Sequence, residues 1–446
     1  MKAIKSKRII TPSAIVDGYL IYEEGKIVAI QTQINDTSME IEDIGNRVLM
    51  PGIIDCHVHI NEPGRSEWEG FETATKAAAA GGITTLIEMP LNASPVTTTV
   101  ENFELKIQAT AQKLYVNCGF WGGVVPSNLQ ALDALLQAGT FGLKAFLTHS
   151  GIDEFPNTNE AELRSALQVL KQHQKPLLVH CELTSPNDDE NLLEQDRKSY
   201  SAYLKSRPKK WENDAVELMI RLCRETGAQV HIVHVSSDEA LSMIAAAKAE
   251  GLPLSAETCP HYIYFDAESI PDGNTLYKCA PPIREKQNNQ HLWQALRSGI
   301  LDFVVTDHSP ATPSLKEIES GDLKKAWGGI SSLQFLLPAF YTKAKSHQID
   351  LLTSSKLLSE NTSKLIGLDH CKGKLAAGYD ADMVVWDPEE KFVVTSEMIY
   401  HRHQVTPYLN EALSGVVKST YLAGEIIYQE GKVLAEAKGK VLYRSS

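Results

Sequence analysis

Eight short apolar segments alternate with helix-forming segments between residues 51 and 369, and this order constrains the fold more than any other feature. The apolar segments have the length and composition of buried strands, and several of the intervening segments end at glycine, as helices often do. Eight strand–helix units over about 300 residues fit a closed (β/α)8 barrel. The strand candidates are GIIDCHVH, ITTLIEMP, VNCGFWGGV, FGLKAFLT, PLLVHCE, QVHIVHVS, PLSAETCP and DFVVTDHSP.

Both ends of the chain instead consist of short strand candidates joined by turns. The turn EEGK, between YLIY and IVAI, is typical of a hairpin because glycine tolerates the positive φ that such turns need. We predict an α/β protein in which a (β/α)8 TIM barrel at residues 51–369 carries a small β-sandwich domain formed by residues 1–50 and 370–446. The longest insertion, at about 182–210, follows the fifth barrel strand.

Composition excludes several classes of protein. The formal net charge of −13 argues against nucleic-acid binding, which depends on clustered lysine and arginine. No apolar run reaches the roughly 18 residues of a membrane span, and the N-terminus lacks the apolar core of a secretory signal. The seven cysteines are odd in number and contain no CxxC pair, which indicates reduced thiols. We therefore expect a cytoplasmic protein that binds neither nucleic acid nor membrane.

Ligand-capable side chains stand at the carboxyl ends of several strand candidates, where barrels of this kind carry their active sites. His57 and His59 end the first strand and, being two residues apart, should share one face. The fifth, sixth and eighth strands end in His180, His234 and Asp307. Imidazole and carboxylate ligands together suit a transition metal such as zinc, cobalt or manganese.

Lys144 lies in GLKAF on the fourth strand, an apolar setting in which an unpaired ammonium is unfavourable. Burial lowers the pKa of lysine, and a neutral amine can add carbon dioxide to form a carbamate whose two oxygens could bridge two metals. The ordinary alternative is a lysine that extends to solvent or forms a salt bridge.

Several other histidines are not expected to bind metal. The HRH motif at 401–403 lies in the C-terminal β region with no partner histidines near and is interpreted as structural or as an interface feature. His231 should fall on the opposite strand face from His234 and toward the barrel bottom, and His308 should point away from the metals. His149 and His261 lie in loops after strands four and seven, where either could approach substrate but a structural role is favoured.

The stretches PGIIDCHVH, GLKAF, LLVHCE, VHVSS and VTDHSP resemble the metal-dependent amidohydrolases that open cyclic amides, among them dihydroorotases, hydantoinases and allantoinases. The resemblance covers nearly the whole chain. It implies a binuclear centre, with zinc as the first expectation and cobalt or manganese as alternatives, bridged by a carboxylated lysine, and a homotetramer. The implied metal ligands are His57, His59, Lys144, His180, His234 and Asp307.

Two positions distinguish this chain from dihydroorotases. Those enzymes often read HxHxREPG, with an arginine that binds the substrate carboxylate, whereas this chain has Asn61 there, and DHSPATP lacks their second histidine. Losing such a charged contact would cost an anionic substrate about 2–5 kcal/mol. The pocket is therefore predicted to accept an uncharged ring.

The long stretches EPGRSEWEG, IEMPLN, CPHY, KAWGGI and HRHQVTPY resemble allantoinases. This implies hydrolysis of allantoin to allantoate in purine catabolism by a metal-activated hydroxide, with Asp307 as general base and then acid. A hydantoinase or dihydroorotase acting on another cyclic amide is the alternative, and a non-catalytic scaffold is a third hypothesis. The substrate-contact candidates are Asn61, Asn92, Cys279, Ser309 and Gly328. By analogy with the family, backbone amides near Cys279, Ala280 and the Gly328–Gly329 turn are expected to orient the ring, and loop 312–327 is a candidate lid.

Overall fold

The computed structural model describes residues 1–34, 38–184, 192–434 and 436–444. The N-terminal strands are β1 (Lys2–Ile10), β2 (Ile15–Glu23), β3 (Lys26–Gln31), β4 (Glu40–Asp43) and β5 (Val48–Pro51). The middle of the chain carries β6 (Ile53–Val58), β7 (Ile83–Glu88), β8 (Asn117–Phe120), β9 (Gly122–Gly123), β10 (Leu143–Phe146), β11 (Leu177–His180), β12 (Val230–Ile232), β13 (Leu254–Thr258) and β14 (Phe303–Val304). The C-terminal strands are β15 (Met383–Val393), β16 (Ala412–Leu422), β17 (Glu425–Gln429) and β18 (Lys432–Val433).

The α-helices of the described residues lie between the middle strands and after them. They are α1 (Phe71–Ala80), α2 (Val100–Ala109), α3 (Leu132–Gln137), α4 (Glu160–His173), α5 (Leu192–Gln195), α6 (Tyr200–Ser206), α7 (Lys209–Thr226), α8 (Leu241–Ala249), α9 (Pro260–Tyr264), α10 (Lys286–Ser298), α11 (Leu336–Ala344), α12 (Leu351–Ser355) and α13 (Asn361–Leu365).

The helices begin and end where local chemistry dictates. In α4, the Asn159 side chain accepts from the Glu162 backbone amide while the Glu162 side chain accepts from the Asn159 amide, which satisfies donors that the first turn leaves free. Helix α7 ends at Gly227, whose φ of 64° suits a residue without Cβ. Helix α4 buries one apolar stripe, formed by Leu163, Ala166, Leu167 and Leu170, in the main core.

The middle strands close into the predicted barrel. Strands β6 to β8 pair in parallel, and β9 to β14 form the rest of the wall, with the third predicted strand divided into β8 and β9. The wall closes where the Asp55 carboxylate of β6 accepts hydrogen bonds from the Thr306 hydroxyl at 2.5 Å and amide at 3.2 Å, just past β14. A bridge between Val58 and His308 continues the closure. The predicted α/β barrel fold is confirmed.

The strands of both chain ends form one nine-stranded sheet, in which β5 pairs with β15 and joins the two termini. The sheet encloses a core to which both ends contribute, including Leu20 and Leu49 from one end and Met383 and Tyr421 from the other. The hairpin predicted at EEGK is present, with Gly25 at a φ of 77°. The small β domain is therefore assembled from both ends of the chain.

The C-terminal tail returns to the barrel. The Gly439 amide donates to Leu114 O, and the Arg444 amide donates to Gly139 O. Between them, the Cys118 amide donates to Lys440 O and the Leu442 amide donates to Cys118 O. These contacts lie near the amino ends of the strands, opposite the end that carries the histidines. The tail therefore covers the bottom of the barrel.

The insertion after β11 contains α5 and α6, and its residues 185–191 lie outside the described part of the chain. The seven cysteines carry free thiols, of which Cys371 is half-buried and the others buried. Within the described ranges, no helix combines the length and apolar character that crossing a bilayer requires.

Candidate active site

The predicted ligand residues converge at the carboxyl end of the barrel. His57 lies in β6, Lys144 in β10, and His180 is the last residue of β11. His59, His234 and Asp307 follow the ends of β6, β12 and β14 by one to three residues. All six side chains are buried or nearly so, and all line one small cavity of about 90 Å³.

The side chains face one another across this cavity. Oδ1 of Asp307 lies 3.2 Å from Nε2 of His57 and 3.4 Å from Nε2 of His59. Across from them, Nδ1 of His180 lies 2.9 Å from Nε2 of His234. Ligand atoms of His57, His234 and Asp307 lie within 4.8 Å of one another, so the two sides of the cavity face one compact site.

Lys144 completes the arrangement from the fourth strand. Its Nζ is buried, lies 5.1 Å from the centre of the Phe146 ring, and makes no hydrogen bond to another described residue. Burial lowers the pKa of Lys144 to about 8, although Asp307 and Glu257 act to raise it. An orphaned buried amine beside four imidazoles and a carboxylate fits a residue that is modified and metal-bound.

The protonation states suit metal ligands, because imidazole binds metal in its neutral form. Burial lowers the pKa values of His57, His180 and His234. Burial acts to raise the pKa of Asp307, but His57, His59 and His234 outweigh it and hold that pKa well below its ordinary value. The site therefore presents neutral rings and an ionised carboxylate.

Two further carboxylates support the histidines and were missed in the sequence. Glu257 of β13 bonds to Nδ1 of His57, and Glu182 bonds to Nε2 of His180 at 2.8 Å. The available signals were an isolated acidic residue inside the apolar seventh strand and the HCE spacing after the fifth.

The prediction for His231 is wrong in its geometry. His231 points into the barrel, where its ring stacks on Phe303 and its Nε2 lies 2.9 Å from Oε2 of Glu257. Strand alternation fails here because β12 ends at Ile232 and His234 adopts a φ of 40°, which turns its side chain back to the interior. His231 thus lies below the site and supports Glu257.

The C-terminal HRH motif is also less isolated than predicted. The His401 ring is buried, with its centre 5.6 Å from that of His308, whose Nε2 lies 3.4 Å from Oε2 of Glu69. The Arg402 amide donates to the same Glu69 carboxylate. His308 points away from the cavity as predicted, and the motif joins the C-terminal segment to the EPGRSEWEG stretch.

His149 is exposed and lies 3.4 Å from Asp153, outside the cavity. His261, by contrast, is buried in α9 with a ring nitrogen near Asp307 and the thiol of Cys259. Burial lowers the pKa of His261 to about 4. A neutral ring therefore packs behind Asp307.

Four of the five substrate-contact candidates line the cavity, namely Asn92, Cys279, Ser309 and Gly328. Asn61 is the exception, because it is fully buried and its amide donates to Pro310 O at 3.2 Å while its Oδ1 accepts from Asn92. It contacts Asn92 rather than the cavity. Ala280 and Gly329, whose backbone was expected to orient the ring, also line the cavity. Leu91, Phe146, Ser150 and Trp327 complete the lining and were not predicted as contacts.

Loop 312–327 is hydrogen-bonded to residues 327–329, which line the cavity. Nζ of the buried Lys316 donates to the carbonyls of Lys278, Trp327 and Gly329. Gly329 has a φ of 139°, and a Cβ there would lie 2.3 Å from Ser309 O. Only glycine can therefore hold this close contact beside Ser309.

Comparison with known proteins agrees with this geometry. The model of the amidohydrolase family matches residues 48–427. The allantoinase of Arabidopsis thaliana is 44% identical, with 98% of this chain and 90% of that protein covered. The allantoinase of Streptomyces avermitilis is also 44% identical, with 99% and 98% covered, and that of Saccharomyces cerevisiae is 41% identical, with 96% and 95% covered.

Solved structures show the same architecture. The L-hydantoinase (dihydropyrimidinase) from Arthrobacter aurescens superimposes with a TM-score of 0.93 at 29% identity, with 99% of each chain covered. Dihydropyrimidinase from Brevibacillus agri gives a TM-score of 0.90 at 27% identity, with 100% of this chain and 98% of that chain covered. The chain therefore belongs to the amidohydrolase family, and within it to the group of the allantoinases.

Proposed function

We propose that this protein is an allantoinase, which opens the ring of allantoin by hydrolysis to give allantoate. The observation that carries the proposal is a cage of ligand-capable side chains below a cavity whose described lining contains no arginine and no lysine except Lys144. Such a cavity suits an uncharged ring over a metal centre. Full-length similarity to allantoinases supports the same substrate.

Two divalent metal ions fit the donor set, with zinc as the first choice and cobalt or manganese as alternatives. His57, His59 and Asp307 would hold one ion, His180 and His234 the other, and Lys144, as its carbamate, would bridge them. When bound, the ions would activate a water molecule as nucleophile and polarise the ring carbonyl. The orphaned Lys144 Nζ and the neutral imidazoles support this assignment.

Asp307 is proposed as the group that moves the proton. Its carboxylate is ionised, lines the cavity and lies between His57 and His59, so it can accept the proton of the attacking water. It would then deliver that proton to the departing ring nitrogen. Because Asp307 would also bind metal, its position relative to the attacking water and to the departing ring nitrogen would be fixed.

Substrate orientation is proposed to depend on neutral hydrogen-bonding groups. Asn92 and Ser309 offer side chains at the cavity, and the backbone near Cys279 and Gly328 offers further donors and acceptors. An imide-like ring with a ureido arm, such as allantoin, presents matching uncharged donors and acceptors. Asn61 would act through Asn92, which it contacts.

A hydantoinase or dihydroorotase activity is the second candidate, since the structural neighbours include hydantoinases. A direct test measures turnover of allantoin, hydantoin and dihydroorotate by the same metal-loaded preparation. We expect allantoin to give the highest kcat/KM by at least about 100-fold. A preference for either other ring would replace the proposal.

The bridging role of Lys144 is tested by Lys144→Ala. We expect the variant to lose tight binding of the metal pair and to recover part of it when a short carboxylic acid is added. Lys175→Ala is the control, because Lys175 is buried at the bottom of the barrel, where it donates to Leu136 O and Thr140 O. Full metal content in Lys144→Ala without added acid would contradict the bridge.

We further propose a homotetramer, a cytoplasmic location and domain boundaries near residues 51 and 370. Resemblance to the family implies a homotetramer, which light scattering of the purified protein would test. The scattered free cysteines support a cytoplasmic location, although one relative, from Aquarana catesbeiana, is named as a mitochondrial allantoinase. Domain boundaries near residues 51 and 370 are supported by the pairing of both chain ends in one sheet.

A further inference from the structure

We propose that Glu257 and Glu182 are positioning residues, each of which fixes one histidine of a different metal position, and that Arg207 extends the second of these contacts to the insertion after β11. The inference rests on the proposed binuclear function and deepens it. It concerns metal affinity, so it can be tested without substrate.

Glu257 determines how His57 faces the cavity. Its Oε1 bonds to Nδ1 of His57 and also accepts from the His234 amide at 3.3 Å. Its Oε2 lies 2.9 Å from Nε2 of His231, so the carboxylate is held from both sides. A carboxylate on Nδ1 requires a proton there, which leaves the lone pair of Nε2 directed at Asp307 and the cavity.

Glu182 determines the orientation of His180 in the opposite sense. Its Oε2 lies 2.8 Å from Nε2 of His180, which places the proton on Nε2 and leaves Nδ1 for a metal. That Nδ1 lies 2.9 Å from Nε2 of His234. The ring is further held by Phe146, which stacks on it at 4.6 Å and 12°.

The two carboxylates therefore act on different metal positions. In the proposed centre His57 would share its position with His59 and with Asp307, whose Oδ1 lies 3.2 Å from Nε2 of His57 and 3.4 Å from Nε2 of His59. His180 would share its position with His234. Each carboxylate contacts the ring nitrogen of its histidine that faces away from the proposed ion.

Arg207 connects the second position to the protein surface. It donates to both oxygens of Glu182, from Nε at 3.0 Å and from Nη2 at 2.6 Å. Its guanidinium lies 5.5 Å from the Trp211 ring, and about a quarter of its side chain is exposed. It follows α6, so the insertion contributes a residue that acts on His180 through Glu182.

The test uses full-length protein stripped of metal and titrated with Zn²⁺ against a competing chelator. We expect wild type to bind two equivalents. Glu257→Gln and Glu182→Gln should each weaken one equivalent by about 10–100-fold and leave the other near its wild-type affinity. The double variant should weaken both.

Arg207→Gln provides a variant whose side chain is partly exposed, so it tests the inference even if a buried variant fails to fold. By itself, Arg207→Gln should weaken the binding of one Zn²⁺ equivalent. Combined with Glu182→Gln it should weaken that equivalent little further, because both changes act on His180. Combined with Glu257→Gln it should give the sum of the two single effects. Asp382→Asn is the control, because Asp382 is a buried carboxylate paired with Lys372 in the small β domain. It should lower the melting temperature and leave both equivalents unchanged.

Wild-type affinities at both positions in Glu257→Gln, Glu182→Gln and Arg207→Gln would overturn this inference and leave the proposed function standing. An equal loss of Zn²⁺ affinity in Asp382→Asn would also overturn it, since the weaker binding would then reflect general destabilisation of the fold. Failure of wild type to bind two equivalents would overturn the binuclear centre itself, a result distinct from the others.

Discussion

At the scale of single residues, burial and neighbouring charge decide which form each group of the site adopts. The same burial that keeps His57 and His180 neutral would also neutralise Asp307, were it not for the histidines around it. An ionised carboxylate among neutral rings can both bind metal and take a proton. This combination makes Asp307 the residue on which turnover should depend.

Asp307→Asn removes the proton acceptor but keeps an oxygen of similar placement. We expect turnover of allantoin to fall by about 100-fold or more, while bound metal stays near the wild-type amount. Elemental analysis and a steady-state assay on the same preparation separate these effects. Near-normal turnover would remove Asp307 from its assigned role.

Asn92 faces the cavity and Asn61 lies behind it, so the two asparagines should differ in their effects. Asn92→Ala should raise KM for allantoin by about tenfold, the equivalent of roughly one hydrogen bond. Asn61→Ala should raise KM less. In the double variant it should add little to the effect of Asn92→Ala, because Asn61 acts through the Asn92 side chain. Steady-state kinetics of both variants and of the double variant decide this, and additive effects would indicate that Asn61 contacts substrate itself.

At the scale of elements, the segment of residues 312–329 depends on lysines bonded to backbone carbonyls. Lys316 binds three carbonyls, and Nζ of Lys278 donates to Ala326 O at 2.5 Å. Burial lowers the pKa of Lys316 to about 7 and that of Lys278 to about 8. Hydrogen bonds from these two lysines therefore fix the segment that contains Trp327 and Gly328.

Lys316→Met keeps the bulk of the side chain and removes its donors. We expect kcat/KM for allantoin to fall by about tenfold or more, because Trp327 and Gly328 lose their fixed positions, while metal content is unchanged. Lys325→Met is the control, since Lys325 is an exposed lysine of the same loop. Equal kinetics in both variants would show that the loop holds its shape without Lys316.

Helices α4 and α7 are joined by a surface ion network whose contribution depends on pH. Hydrogen bonds from Arg221 and Arg164 lower the pKa of Glu160 to about 2. Because this value lies below the ordinary 4.5, the contact stabilises the fold above about pH 4.5 and is lost as pH falls toward 2.

Glu160→Gln should therefore lower the melting temperature by about 1–2 °C at pH 7 and by less at pH 3. Differential scanning fluorimetry at both pH values measures the change. Glu217→Gln, at an exposed position of α7, is the control. A larger melting-temperature difference between Glu160→Gln and wild type at pH 3 than at pH 7 would contradict the predicted pH dependence.

At the scale of the whole molecule, the two ends of the barrel have separate tasks. The carboxyl end carries the histidines, and the amino end is covered by the C-terminal tail, whose Arg444 side chain donates to Phe141 O and Leu365 O. Stability and chemistry are therefore separated along the barrel axis, as is usual for this fold.

Deleting residues 439–446 should lower the melting temperature by several degrees, because it exposes backbone groups of the lower barrel that the tail now pairs. Metal stoichiometry should remain at the wild-type value, since no described residue of the tail, 439–444, lines the cavity. Lys438→Ala, at an exposed position just before the tail, is the control. Loss of metal on deletion would show that the two ends are coupled.

The sequence by itself determined the barrel, the small domain built from both ends, and the six residues that meet at the cavity. Strand–helix alternation is a local property, and the carboxyl ends of parallel strands must lie at one end of a barrel. His57, His180 and Asp307 could therefore be placed together from the sequence.

Only the tertiary structure decided what stands behind those residues. Glu257 contacts both His57 and His231. A left-handed residue, His234, ends the alternation of its strand, and no periodicity predicts that turn. His401 reaches His308, and Asn61 leaves the cavity for Pro310, through contacts between segments far apart in the chain. The pattern of strands and helices along the sequence predicts which residues lie at the carboxyl end of the barrel. The hydrogen-bond partners of a buried polar group depend instead on how the closed barrel packs.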